Sequence, residues 1–169
     1  MESNLRGLLA GITSKGWTVD IKTTPQPSTP EVITLRYGSL PQQFASFLSS
    51  VQKCINKPDT AWILCDVDYA GRSDRAFTWN EFENISLEAF AADGDDTSEI
   101  EQFWDAHLPV AMSVGSHYAY LALRMADGKV VYGEEPEFEE AKVVAGSFYE
   151  LLEMLGSEGD IPWELTLFR

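Results

Sequence analysis

Residues 107–155, HLPVAMSVGSHYAYLALRMADGKVVYGEEPEFEEAKVVAGSFYELLEML, decide the fold class. The run His107-Leu108-Pro109-Val110-Ala111 reads as a short apolar strand. Tyr118-Ala119-Tyr120-Leu121-Ala122-Leu123 reads as a second strand, and residues 129–132 as a third. Asp127-Gly128 stands between the last two and predicts a two-residue turn, with positive φ at both positions, closing a β-hairpin. An acidic loop follows at residues 134–140. Ser147 and Glu150 then stand at capping-box spacing, and Phe148, Leu151, Leu152 and Leu155 share one face of the helix they open. Nothing in this stretch is an obvious catalyst, so it points toward binding and away from turnover.

Outward from this stretch, Leu5, Leu8, Leu9 and Ile12 recur at helical spacing until Gly16. Trp17-Thr18-Val19-Asp20-Ile21 alternates as a strand does, and prolines at 25, 27 and 30 mark a loop. Residues 31–37 are β-branched enough to predict a second strand. Pro41 suits the first turn of a helix, with Phe44, Phe47, Leu48, Val51 and Ile55 as one stripe that Pro58 stops. Residues 61–67 predict a central strand. Thr78 with Glu81 predicts a short or irregular helix. Ser98 with Glu101 predicts one that turns Ile100, Phe103 and Trp104 inward. Residues 161–168 predict a last strand. Helices and strands do not alternate as βαβ units. The expectation is therefore one α+β domain over residues 1–169, a mainly antiparallel sheet with helices packed against it.

The chain has 169 residues, 44% of them apolar, which is enough to bury a core without staples. Its two cysteines, Cys54 in the helical stripe and Cys65 in the central apolar run, read as buried free thiols of a reducing compartment. There is no basic leader and no apolar run near the ~20 residues needed to cross a bilayer. The expected location is the cytoplasm.

Charge is unevenly placed. Residues 1–75 carry eight Lys/Arg and seven Asp/Glu, a net of +1. Residues 76–169 carry four and twenty, a net of −16, with no Lys or Arg between Arg75 and Arg124. Nucleic acid and anionic membrane are disfavoured, because both need a cationic surface. A basic protein partner is favoured, since a one-sign field speeds its approach and rejects wrong partners. Solubility alone would also explain the charge.

These residues resemble the SUKH superfamily, which includes fungal cell-wall-assembly regulators and many bacterial immunity proteins. The resemblance rests on Leu108-Pro109-Val110-Ala111, on Gly115-Ser116-His117 leading into the aromatic strand, on the hairpin and acidic loop, and on Ser147-Phe148 opening a leucine-rich helix. Leu40-Pro41 with Phe44, Phe47 and Leu48 is similar to the family's Leu-Pro helix. The chain departs from the pattern at Asn56-Lys57-Pro58-Asp59, where many members carry Asn-Gly-Gly, and at Ser116-His117, where an acid often follows the glycine. The resemblance implies an α+β fold, a sheet with helices packed against it, no enzymatic activity, and protein–protein binding; no cofactor is expected. For bacterial members that usually means neutralising a toxin.

The candidate partner-binding residues are Glu134, Glu135, Glu137, Glu139 and Glu140, with Phe138 among them as an apolar anchor or a core plug. A second acidic cluster holds Asp93, Asp95 and Asp96, followed by Glu99 and Glu101. Its opening is similar to a calcium loop but lacks the sixth-position glycine, and Trp104 stands where a bidentate Glu belongs, so no metal is expected. Trp79, beside Arg72, Arg75 and Phe77 in an expected loop, is the tryptophan best suited to an interface, whereas Trp104 belongs to the core. His107 and His117 have no ligand spacing, and Gly115-Ser116 is not a nucleophile elbow. The leading expectation is an immunity protein that covers a basic toxin domain, for example a nuclease. The alternatives are a regulatory or scaffold protein of the same fold and, third, an enzyme using the carboxylates.

Overall fold

A computed structural model describes residues 3–24, 29–75, 77–93 and 96–169. The elements run in order as α1 (Ser3–Ser14), β1 (Thr18–Ile21), α2 (Glu31–Tyr37), α3 (Gln42–Ser50), β2 (Val51–Ile55), β3 (Ala61–Ile63) and a one-turn α4 (Asp66–Tyr69). Then come α5 (Glu81–Asp93), α6 (Ser98–Ala106), β4 (His107–Ser113), β5 (Ala119–Arg124), β6 (Val130–Glu134), β7 (Lys142–Ala145) and α7 (Phe148–Gly156). A 3-10 helix, Trp163–Phe168, closes the chain. The seven strands form one sheet in sequence order, each pair antiparallel. The α+β architecture with a mainly antiparallel sheet is as the sequence predicts.

Register sorts the side chains between two faces, because successive strand residues point oppositely. Trp62, Met112, Tyr120 and Gly133 are cross-strand partners and share a face. On it the Tyr120 ring meets Trp104 of α6 at 4.8 Å and Phe82 of α5 at 6.3 Å. Residues one step along point the other way. There Ser113 Oγ donates to Leu167 O, and Tyr132 meets Trp163 edge-on at 5.8 Å, so the 3-10 helix covers that side. Phe44 and Phe47 of α3 pack on Phe148 of α7 at 4.9 and 5.2 Å, and α7 lies close against α1 where Gly156 meets Gly11. Ser147 caps α7, accepting the Glu150 N–H at 3.2 Å, as its spacing predicts.

Several elements differ from the sequence reading. Residues 31–37 are a helix, not a strand. Arg36 holds it by a two-pronged bridge to Glu83 of α5, both N–O distances 2.7 Å, and by a bond to Asp105 of α6 at 2.8 Å. Helix α3 ends at Ser50, and the rest of the expected stripe is strand β2, pairing with β1. Cys54 is therefore a strand residue. Both cysteines are buried free thiols, and burial pushes each thiol up, away from the reactive thiolate. The expected strand at 61–67 stops at Ile63 and passes into α4. The weak helix at Thr78 is the long α5, its start tied by the Thr78 hydroxyl donating to Glu81 at 2.9 Å. The expected strand at 161–168 is instead the 3-10 helix Trp163–Phe168, whose three-residue repeat puts Leu165 and Phe168 together in the core.

The β5–β6 hairpin is present, but its turn is not the two-residue kind. Only Gly128 has positive φ, at 73°, while Asp127 does not. Arg124 N–H donates to Lys129 O, and Gly128 N–H donates back to Arg124 O, both at 2.8 Å, which makes a four-residue loop. The Asp127 carboxylate closes it, accepting from Lys129 N–H and from Arg124. That guanidinium holds the Asp127 carboxyl well below the usual range.

Candidate functional site

The acidic segment after β6 is pinned to the sheet and helices at several points. Glu134 Oε2 accepts from Tyr132 Oη at 2.5 Å and lies 2.6 Å from His117 Nε2. Glu135 exchanges bonds with Tyr118: its Oε1 accepts the Tyr118 N–H and its own N–H donates to Tyr118 O, both at 2.9 Å. The Glu135–Pro136 bond is cis. Tyr120 Oη donates to Phe138 O at 2.5 Å, and the Phe138 ring stacks on Phe82 with centroids 4.8 Å apart. Glu139 Oε1 accepts from Trp104 Nε1 at 2.7 Å.

These bonds divide the acids into two kinds. Glu134, Glu135 and Glu139 serve the loop's own shape. Glu137 and Glu140 are exposed, and among the described residues neither carboxylate takes part in an ion pair or side-chain hydrogen bond. Phe138 is buried and is the core plug of the two readings.

Beside the loop, the apolar stripe of α5 runs off the edge of the core. Phe82, Ile85, Ala89 and Phe90 stand at i, i+3, i+7 and i+8, one helix face. Phe82 is buried, but Phe90 is 43% exposed. Between this face and residues 136–140 lies a groove of about 260 Å³. Ile85, Ala89 and Phe90 form one wall, Pro136 and Phe138 the other, and Glu137 and Glu140 lie at its edge. An apolar centre inside a polar rim is the anatomy of a protein interface.

Further exposed acids lie on α5 and at the start of α6. Glu88 on α5 is exposed, as are Asp96, Glu99 and Glu101 at the start of α6. Hydrogen bonds from Ser98 hold the Asp96 carboxyl below its ordinary value. Arg36 takes Glu83 and Asp105 out of this set. Asp93 is the last residue of α5, and Asp95 lies outside the described residues.

Trp79 departs from its expected place. It is 8% exposed, between Tyr37 at 6.5 Å and Tyr69 at 5.8 Å, so it is a core residue and no surface anchor. Phe90 is the aromatic residue at the surface here, and its helical spacing from Phe82 was the available signal. Trp104 is in the core as expected, with its indole N–H committed to Glu139.

The histidines have partners that spacing did not show. His107 follows α6 directly, and its Nδ1–H donates to Phe103 O at 2.8 Å, a tautomer set by the carbonyl's being acceptor only. Burial lowers its pKa. His117 stands between Ser116 Oγ, 3.1 Å from Nδ1, and Glu134. Serine, imidazole and carboxylate are thus in a row, but on an exposed hairpin bend, and the groove beside α5 does not reach them. Among the described residues no group of three His, Cys, Asp or Glu is placed to hold a metal ion. No helix among them is long and apolar enough to cross a membrane.

Compared with known proteins, the chain matches no protein-family model, no curated protein and no solved structure.

Proposed function

We propose that this protein is a non-catalytic binding module whose acidic face covers a basic partner, and that it acts as an immunity protein against a toxin domain inside the cell that makes it. One observation carries the reading: among the described residues Glu137 and Glu140 have no ion-pair partner at the edge of an apolar groove, in a half of the chain with a net charge of −16. A purely solubilising surface needs charge but no apolar groove beneath it. A partner interface needs both, because the dry centre supplies most of the affinity and the acids supply speed and selectivity. The resemblance to the SUKH superfamily supports the same reading, and an antiparallel sheet with packed helices is the architecture it implies. The mechanism is stoichiometric blocking.

The test is purification of the tagged protein from its native cell, followed by co-expression with whichever protein accompanies it. The expected companion is basic, forms a one-to-one complex, and is toxic when expressed alone. The Glu137→Lys/Glu140→Lys protein should lose both the complex and the protection. An acidic companion, or one that binds the double variant equally well, overturns the proposal.

A further inference from the structure

We infer that the groove between α5 and residues 136–140 receives one bulky apolar side chain from a partner segment that carries Lys or Arg on both sides of it. This rests on the binding reading above and specifies what the partner presents. The groove's 260 Å³ lies just under the ~300 Å³ at which small-molecule pockets begin, so it suits a side chain better than a cofactor. Its apolar lining is Ile85, Ala89, Phe90, Pro136 and Phe138, which offer contact area to an apolar side chain; of the polar lining residues, Glu139 is already bound to Trp104. The Tyr120–Phe138 and Trp104–Glu139 bonds fix the loop wall before any partner arrives, which lowers the ordering cost of binding.

Charge selects the occupant. Any segment seated here strips water from Glu137 and Glu140. Among the described residues neither carboxylate has a cationic partner, and the flanking lysines are engaged elsewhere, Lys142 with Glu164 and Lys129 with Asp127. A neutral or acidic segment would leave them desolvated and unpaired. Lysine or arginine on both sides of the inserted side chain restores the balance. A second copy of this chain is the wrong occupant, because two molecules of net charge −15 repel.

Short synthetic peptides of three kinds test the inference: Phe flanked by lysines, Ala flanked by lysines, and Phe flanked by glutamates. Binding is read by fluorescence anisotropy, and its place by backbone NMR shifts. The lysine–Phe peptide should bind about tenfold more tightly than the lysine–Ala peptide, the effect of one buried apolar anchor. It should shift Ile85, Ala89, Phe90 and Phe138, and the glutamate peptide should not bind. Ala89→Trp, at an exposed helix position, fills the groove and should bring the Phe peptide down to the level of the Ala peptide. Phe90→Ala, which removes one wall, serves as a second variant if the tryptophan disturbs folding. Glu137→Gln/Glu140→Gln should weaken both lysine peptides. Equal binding of the Phe and Ala peptides, or indifference to both groove variants, overturns the groove. The acidic-face reading survives that result if Glu137→Gln/Glu140→Gln still weakens binding, and falls with it otherwise. Self-association of the protein that Ala89→Trp abolishes would also overturn it, by making a second copy the occupant.

Discussion

Gly133→Ala is expected to be among the most damaging small substitutions in the sheet. Gly133 faces Tyr120 across the β5–β6 pair, and the ring lies directly over its backbone. An added methyl would sit 2.4 Å from Tyr120 Oη and 2.5 Å from Cε1 and Cζ. Ordinary contact starts at 3.4 Å, so the ring must retreat by roughly 1 Å. It is fully buried, with Trp104 and Phe82 behind it, and has no free space to enter. Retreat also breaks the 2.5 Å bond to Phe138 O, which anchors the acidic loop. Overpacking costs ~1–3 kcal/mol, and a buried hydrogen bond left unmade adds ~1–3 kcal/mol. Alanine's smaller entropy loss returns at most ~1 kcal/mol, so the net is about 1–6 kcal/mol. Urea unfolding followed by tryptophan fluorescence measures it as a lowered midpoint at unchanged slope. Tyr120→Phe should lose only the hydrogen-bond part. In that background Gly133→Ala should still destabilise, because the ring carbons stay too close. A Gly133→Ala protein within ~0.5 kcal/mol of the parent would refute this account of the ring's position.

Helices α1 and α7 should respond unequally to alanine. Gly156→Ala drives a methyl to 2.9 Å from the Gly11 carbonyl carbon, whereas Gly11→Ala reaches only 3.7 Å from Gly156 Cα. Thermal melts should show Gly156→Ala less stable by ~1–3 kcal/mol and Gly11→Ala neutral or up to ~1 kcal/mol more stable; the reverse order would contradict the packing. Arg36→Met should cost ~3–5 kcal/mol by leaving the buried Glu83 carboxylate unpaired, and Arg36→Met/Glu83→Met should recover most of it. The check is a denaturant double-mutant cycle, and additive losses would rule out the coupling. For pH, burial lowers the His107 pKa below its ordinary 6.5 in the folded protein. The unfolded chain therefore takes up the proton first, and stability should fall as pH drops below about 6.5. His107→Gln should remove that slope from urea midpoints measured across the window.

Local pattern carried the fold where local forces decide it. The stripe Leu5, Leu9, Ile12 and the Ser147 cap need only near neighbours, and both are as read. Helix α2 is different. Its Val32, Ile33 and Thr34 favour a strand, and Leu35 is 79% exposed, so no amphipathic face shows. What makes it helical is Arg36 reaching partners 47 and 69 positions away, which no local pattern records. The α3–β2 junction does not show because Val51, Cys54 and Ile55 keep helical spacing, and β2 buries Val51 and Cys54 with Gln52 and Lys53 exposed between them. At the site, composition located the acids but not their employment. Glu139 looks like Glu140 until Trp104, 35 positions earlier, donates to it. Trp79 does lie in a loop, but its burial is not legible because the rings that cover it, Tyr37 and Tyr69, come from other elements.

The central claim, that the acidic face is an interface, is tested most directly by the association rate with the native partner as salt is raised. Stopped-flow mixing of the purified pair suffices, with wild type and Glu137→Lys/Glu140→Lys measured side by side. Screening acts beyond a Debye length of about 10 Å at 0.1 M salt. The account predicts a wild-type rate that falls steeply with salt, and a double variant that is slower at low salt with a flatter dependence. A rate indifferent to salt and unchanged by the double reversal would contradict it.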